Sequence, residues 1–450
     1  MKKIKECRGD GIPVDMISDL PDSILCHILS FLPTHLLVPT SLLSRRWRFL
    51  WTKVKTLDFF ISFPSSRFLK RHNMNYVDFV NKVVLQLDPA GRLDKFAFGW
   101  GILFEESRVD YVNKWICYAI GRSVRILNVT LMDSSNSSTD DPIRPSCAPF
   151  TSWILEFLML QGYYIMLKVP YLVHLPKLLE LRLFYVAYES DHSVSQVLSG
   201  CPLLHTLQIH HDVCKDNVLI DRISCPSPKH LTIATEGLRR GIDITLEIDR
   251  TLEIDAPGLE SLELYDCRWW KDYSVKMPTS LRIAKLSLDV ELDELVETVK
   301  HVKCLELGGV FMEALRGGDN NPVVKFERLT ELELTFRCRY GQWNSVINVM
   351  LECSIKLKVL KITMAFAGNN YTDPEYCWKD PKNVPKCLSS SIEEISFIGF
   401  KGLEDDDMEM ISYILEHGEV MRRLKLKSFG KCAENKFQMI KKISMFPRSS

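Results

Sequence analysis

The sequence predicts an α/β solenoid preceded by a short all-helical module. Two patterns point there. The motif apolar-x-x-apolar-x-apolar recurs twelve times between Leu93 and Leu426, with one further degenerate copy, and residues 19–32 carry the apolar stripe of an amphipathic helix. The composition of the 450-residue chain, 46% hydrophobic and 25% charged, is ordinary for a globular protein and leaves room for two or three domains.

The front module comes first. In DLPDSILCHILSFL, residues 19–32, the apolar positions Ile24, Leu25, Ile28, Leu29 and Leu32 follow helical spacing, and Pro21 and Asp22 suit a first helical turn. Pro33 and Thr34 break this helix. A second helical stretch follows and ends in LLSRRWRFLW, where Leu43, Trp47, Leu50 and Trp51 keep helical spacing. Two short helices cannot bury that much Leu and Trp between themselves, so part of the surface must meet the rest of the chain or another protein.

These residues carry a resemblance. The segment 15–59 is similar to the F-box of plant F-box proteins through its Leu20-Pro21 start, the run Ile28-Leu29-Ser30-Phe31-Leu32-Pro33, the segment from Thr40 to Trp47 and the closing Leu50-Trp51. The resemblance implies a module over 15–60 that binds a Skp1-type linker, and through it a cullin, in an SCF ubiquitin ligase. It makes Leu20, Pro21, Ile24, Leu25, Ile28, Leu29, Val38, Leu43 and Trp47 candidate Skp1 contacts; some of the nine must instead form the module's own core. Pro39 falls in the second helix, where it removes one hydrogen bond and crowds the preceding turn, so the helix is expected to pair less well with the linker or to begin later.

The repeats follow. Examples are Leu93-Phe96-Phe98, Leu178-Leu181-Leu183, Leu259-Leu262-Leu264, Ile283-Leu286-Leu288, Val302-Leu305-Leu307 and Leu357-Leu360-Ile362; the degenerate copy is Leu231-Ile233. Successive central residues lie 19 to 35 positions apart, mostly near the leucine-rich-repeat period of about 20 to 29. Each match reads as a short strand with its last two apolar residues facing inward, and stacked neighbours share one core. The Asn or Cys that regular repeats carry three residues on is matched only by Cys267, so the array over 88–375 is expected to be an irregular leucine-rich-repeat horseshoe. The stretch Asp133–Pro149 reads as an exposed loop.

Residues 378–426 resemble the FBD region that follows leucine-rich repeats in many plant F-box proteins, through Trp378, Pro381, Val384-Pro385, Cys387-Leu388, Phe400, Gly402, Tyr413-Ile414-Leu415 and Leu424. Glu404 to Asp407 begin a helix with Met408, Ile411, Ile414 and Leu415 on its apolar face, and His417-Gly418 end it. This FBD-like region, 376–430, is expected to cap the open end of the array.

Chemistry is excluded by what the patterns lack. There is no phosphate-binding loop, dinucleotide fingerprint, zinc helix or nucleophile elbow, so no catalytic, cofactor or metal residue is assigned. His210-His211 beside Asp212 is the nearest approach to a cluster, but neighbours on a strand face opposite ways and a structural or solvent-facing role is expected. The 14 cysteines show no Cys-x-x-Cys spacing and read as reduced core thiols. Lys plus Arg and Asp plus Glu both number 57, so no net charge favours nucleic acid or anionic membrane. The most apolar stretch, Phe157 to Leu167, contains Gln161 and Gly162 and is too short to span a bilayer. With no apolar secretory leader at the front, the chain reads as soluble and located in the cytoplasm and/or nucleus.

The outward positions of the repeat strands, Arg182, Gln208, Thr232, Glu263, Ser287, Glu306, Glu333 and Lys361, should form a row on one face of the sheet. Arg182, Glu263, Glu306, Glu333 and Lys361 are the candidate target-binding residues; a solvated polar face is the alternative. The three glutamates predict an acidic middle and a basic target. Trp269-Trp270 suit either a partner anchor or packing into the next turn. The leading expectation is a substrate-recruiting adaptor with no bond-making role. The alternatives are a scaffold that no longer docks the ligase, or a small-molecule-dependent receptor of the same architecture.

Overall fold

A computed structural model of the chain describes residues 17, 19–60, 76–101, 108–132, 142–163, 165–212, 220, 222–236, 251–265, 270, 272–276, 279–288, 293–309, 324–336, 343–364, 378–381, 383–399, 405–427 and 433–448. The chain forms two compact units, Met1–Tyr164 and Ile165–Ser450.

In the first unit, Pro21 opens helix α1 (Asp22–Leu29) and Pro33 opens α2 (Thr34–Thr40). Both prolines stand at the N-cap, where a missing N–H costs nothing, and their carbonyls accept the first helical hydrogen bonds. Helix α2 starts directly after Pro33 and contains Pro39 as its penultimate residue. It does not run on to Trp51. Ser41 and Leu42 donate to Val38 and Pro39, tightening the chain into turns, and Trp47–Lys53 forms a separate 3-10 helix. Leu25, Leu29, Leu37, Trp47, Leu50 and Trp51 make the module's buried core. Buried Thr34 accepts the Asp58 backbone N–H at 2.7 Å and ties α2 to the first strand.

That strand, β1 (Thr56–Asp58), begins a parallel sheet continued by β2 (Lys95–Gly101), β3 (Ile126–Met132) and β4 (Phe157–Gln161). Its register stacks Leu57, Phe96, Leu127 and Leu158 in one buried row, with Phe98, Val129 and Leu160 in the next. Helices α3 (Tyr76–Gln86) and α4 (Arg108–Gly121) cross between strands and turn Phe79, Val80, Val83, Trp115 and Ile116 inward. Trp115 meets Phe98 edge-on at 5.4 Å. Burying each such side chain contributes about 1.5–3 kcal/mol. The stretch read as an exposed loop is packed in its second half: Ile143 and Pro149 are buried, and the Ser146 N–H donates to Asn113 Oδ1 at 2.7 Å. Residues 133–141 lie outside the described residues.

Among the described residues, the main sheet of the second unit runs through ten parallel strands in chain order: β5 (Glu180–Phe184), β6 (Thr206–Asp212), β7 (His230–Glu236), β8 (Ser261–Tyr265), β9 (Ile283–Leu288), β10 (Cys304–Gly309), β11 (Glu331–Phe336), β12 (Val359–Met364), β13 (Glu394–Ile398) and β14 (Arg423–Lys427). One inward row reads Leu181, Leu207, Leu231, Leu262, Ala284, Leu305, Leu332, Leu360, Ile395, Leu424. Leu183, Ile209, Ile233, Leu264, Leu286, Leu307, Leu334, Ile362, Phe397 and Leu426 form the second. These are the two stacked apolar ladders of a leucine-rich-repeat solenoid, with the degenerate copy at Leu231-Ile233 in place.

One repeat is shifted from its sequence reading. The match at β9 is Leu281-Ala284-Leu286, because Leu286 lies opposite Leu264 and Leu307. Ala284 is fully buried, but its small side chain hid the position while Leu288, one pair further along, imitated it. The outer layer is uneven. Helices α5 (Ser193–Ser199), α6 (Asp293–Val299), α7 (Trp343–Cys353), α8 (Lys386–Ser390), α9 (Asp405–His417) and α10 (Ala433–Ser444) return some connections. Short strands return others: Met166–Leu167 pairs with Ala187–Tyr188, while Arg222–Ser224, Thr251–Asp255 and Asp272–Val275 form a small parallel sheet.

Candidate docking surfaces

The α1 stripe divides into two faces. Leu25 and Leu29 point into the module, while Ile24 and Ile28 are 45% and 43% exposed. Pro21 is exposed, Leu20 and Val38 are half-buried, Leu43 is exposed and Trp47 is buried. So of the nine candidate contacts, Leu25, Leu29 and Trp47 build the module, and Pro21, Ile24, Ile28 and Leu43 reach solvent. The module also exposes apolar side chains that sequence reasoning left out of the candidate set: Phe31, Leu36, Leu42 and Phe49. Their only signal was the surplus of large apolar residues around one helical stripe.

Arg46 holds this surface together. Its guanidinium donates to Asp22 Oδ1 at 2.8 and 3.0 Å and to the Leu20 carbonyl. Asp22 thus ties the start of α1 to the segment before the 3-10 helix, and the Arg46 hydrogen bond holds its carboxyl below the usual carboxylate range. The sequence placed Asp22 as a helix-dipole residue; its long-range partner is 24 positions away and has no local signature.

On the second unit, the solvent-facing row of the inner sheet reads Arg182, Gln208, Thr232, Glu263, Lys285, Glu306, Glu333, Lys361, Ser396, Lys425. Lys285 stands where Ser287 was expected, as the register shift at β9 requires, and Ser287 belongs to the next row with Tyr265 and Gly308. The middle therefore carries both signs, with Glu306 and Glu333 standing as adjacent like charges. Lys285 Nζ lies 2.8 Å from Glu263 and Lys361 Nζ 3.5 Å from Glu333. Glu306, between them, forms no ion pair among the described residues, and burial together with Glu333 raises its carboxyl pKa. Arg182 pairs with Glu180 of its own strand at 2.5 Å. Lys285, Glu306, Glu333 and Lys361 line one shallow concavity.

His210 and His211 face opposite ways, as expected on a strand. His210 stacks on Phe184 at 4.2 Å, while His211 is buried against Tyr188, where desolvation pushes its pKa down to about 4. Trp270 is a packing residue: it is buried, its indole N–H donates to the Ile220 carbonyl at 3.2 Å, and Tyr273 meets it edge-on. Trp269 and Cys267 lie outside the described residues. Cys201, Cys225, Cys353 and Cys387 are buried free thiols; Cys117 is an exposed one.

Toward the C-terminus, Trp378 is buried, donates to Asp380 Oδ1 at 2.7 Å and packs on Tyr413. Cys387 Sγ donates to the Leu351 carbonyl at 2.9 Å and, with buried Leu388, locks α8 onto α7. Helix α9 spans Asp405–His417 and buries Met408, Ile411 and Ile414 as read, plus Met410 and Tyr413, whereas Leu415, also read as apolar face, is only half-buried. Gly418 follows it because a Cβ there would stand 2.8 Å from the Ile414 carbonyl oxygen. Phe400, Gly402 and Glu404 lie outside the described residues.

Comparison with known families now bears on these surfaces. The F-box domain profile matches residues 17–59 and the FBD profile residues 379–426. The Arabidopsis thaliana F-box/FBD/LRR-repeat protein At2g04230 is 32% identical over 431 residues, covering 94% of this chain and 90% of that protein. This chain belongs to the F-box/FBD/LRR-repeat family. A second relative in the same plant, F-box/FBD/LRR-repeat protein At4g26340, is 29% identical across 97% of this chain and 98% of its own length. The family supplies the architecture seen here: a helical F-box, a leucine-rich-repeat sheet and an FBD in which Cys387 and Leu388 are core residues, with buried Trp378 just before it. F-box domains in general bind Skp1-type linkers. Among the described residues, no helix is long and apolar enough to cross a membrane.

Proposed function

We propose that this F-box/FBD/LRR-repeat protein is a substrate-recruiting adaptor of an SCF-type ubiquitin ligase, acting in the cytoplasm and/or nucleus. One observation carries the reading. Within residues 17–49 the F-box exposes eight large apolar side chains, Ile17, Ile24, Ile28, Phe31, Leu36, Leu42, Leu43 and Phe49, around a core that is already complete. A surplus of this kind is characteristic of a surface that another protein covers. Pro21, Ile24, Ile28 and Leu43 serve as linker contacts in this reading, joined by Phe31, Leu36, Leu42 and Phe49; Leu25, Leu29 and Trp47 shape the surface from beneath, and half-buried Leu20 and Val38 border it. Pro39 does not prevent α2 from forming: it is the penultimate residue, so the one helical hydrogen bond it removes lies at the helix end.

The row from Arg182 to Lys361 is the target-facing surface. Its mixed signs, Glu263, Lys285, Glu306, Glu333 and Lys361, favour a target segment that also carries both signs, which sets specificity and association rate more than affinity. The adaptor contributes proximity: it holds target lysines near a ubiquitin-loaded enzyme and makes no bond itself. Co-purification with a Skp1-type protein tests the reading. Ile28→Asp and Leu43→Asp should each lower linker affinity about tenfold or more, since a buried interface anchor is worth about 2 kcal/mol. Undiminished binding by the double variant, with the chain still folded by circular dichroism, would remove this surface from the proposal.

A further inference from the structure

The last strand and the last helix of the second unit leave a groove. Strand β14 pairs with β13 on one side, and among the described residues no strand pairs with its other edge. Beside that edge lies a concavity of about 510 Å3, lined on one side by Met421, Leu424 and Leu426 and on the other by Ile440 and Ile443 of α10. Leu424 and Leu426 end the two inward ladders, and they alone in those ladders are half-exposed. Phe437 and Ile440 add exposed apolar surface to the helix, and Met445 just after it; Ile440 is 67% exposed.

The groove's lining is biased toward positive charge, with Arg422, Arg423 and Arg448 against Glu419, although the chain is neutral overall. In the sequence, residues 419–450 hold nine Lys and Arg against two carboxylates, Glu419 and Glu434. Glu394 of the neighbouring strand and Glu393 just before it pair with Arg422, Arg423 and Lys425. Lys427 stands beyond them on the strand, and Arg448 on the groove's far wall. Lysines also guard free sheet edges against non-specific pairing. Protection alone, however, would not leave an apolar floor open beside the guarded edge.

We propose that the free edge of β14 takes up an extended acidic segment of a partner protein, by strand addition. Register dictates the chemistry. Along β14, Arg423, Lys425 and Lys427 face the side of the sheet that carries the charged row, and Leu424 and Leu426 face the groove. An added strand continues both alternations. Residues beside the cations are acidic, because opposite charges across strands stabilise and like charges destabilise; residues beside the leucines are apolar and fill the groove against Ile440 and Ile443. Main-chain hydrogen bonds to the edge supply affinity and the alternating side chains supply specificity. The segment is thus an alternating acidic and apolar one, and the site is built from the second unit's residues alone.

The test uses the full chain and a short labelled peptide alternating glutamate with valine, beside a counterpart with lysine in place of glutamate. By fluorescence anisotropy the glutamate peptide should bind and weaken as salt rises, and the lysine peptide should not bind. Ile440→Asp, at an exposed position, should cut affinity at least tenfold with an unchanged circular dichroism spectrum. Lys427→Glu should weaken binding and flatten its salt dependence. Failure of the glutamate peptide to bind at millimolar concentration, equal binding of both peptides, or full affinity in Ile440→Asp overturns the proposal. So does tighter binding of phosphatidylserine vesicles or of single-stranded RNA with the same Ile440→Asp sensitivity. A concentration-dependent dimer on gel filtration that Ile440→Asp abolishes would give the edge to a second copy of this chain and overturn it equally.

Discussion

His211 shows how one buried residue couples this fold to pH. In the folded chain its imidazole titrates near 4, whereas in the unfolded chain it has the ordinary value of 6.5. Between those values the unfolded state takes up a proton that the folded state refuses, so His211 costs nothing above pH 6.5 and destabilises increasingly as pH falls toward 4. The full loss is about 3 kcal/mol on the scale of 1.36 kcal/mol for each pKa unit. Urea midpoints at neutral and mildly acidic pH should show it: wild type should lose stability on acidification, and His211→Phe, which keeps a ring against Tyr188, should lose less. Equal losses would mean that another group carries the acid sensitivity. Glu306 has the opposite bias. Its raised pKa means the ionised form is penalised in the fold, so Glu306→Gln should leave thermal stability unchanged or higher. If Glu306 reads a cationic group on the target, the same variant should still weaken target capture; undiminished capture would make Glu306 a spacer between the two ion pairs.

At the scale of elements, the F-box separates residues that hold it from residues that present it, and mutations should separate the same way. Leu29→Ala empties a buried site and should cost about 2–5 kcal/mol, enough to unfold a small module. Ile28→Ala, on the neighbouring exposed position, should change stability by about 0.5 kcal/mol or less. Both should reduce linker binding, but only Leu29→Ala should make residues 20–55 sensitive to limited proteolysis. Equal protection of the two variants would show that the burial pattern does not govern this module. Helix α1 was legible because its caps and stripe are local. The second helical stretch was not, because Leu43 and Trp47 keep helical spacing across a segment that Pro39 and the turns after it have already diverted into a 3-10 helix. Spacing cannot report where a chain changes pitch.

At the scale of the whole chain, the inner strands were legible because each repeat spends two apolar residues on the shared ladders, a signal that survives irregular spacing. It failed at β9, where Ala284 is too small to stand out, and that one slip exchanged Ser287 for Lys285 and turned a surface of mixed sign into an acidic one. The outer layer was less legible, since short strands such as Thr251–Asp255 and helices such as α7 meet the core with no common period. The same stacking logic predicts where the array can be cut. Ending the chain after residue 375 removes Trp378, Cys387, Leu388, Ile395 and Phe397, all buried, and uncovers Leu360 and Ile362 of β12 and Leu351 of α7. A repeat cannot bury its apolar face alone, so that fragment should aggregate. Ending it after residue 427 removes α10 but keeps β13, β14 and α9 over the ladders, so this fragment should remain soluble. Gel filtration with light scattering distinguishes the two. A monodisperse monomer from the shorter fragment would show that the FBD is not the cap of the array.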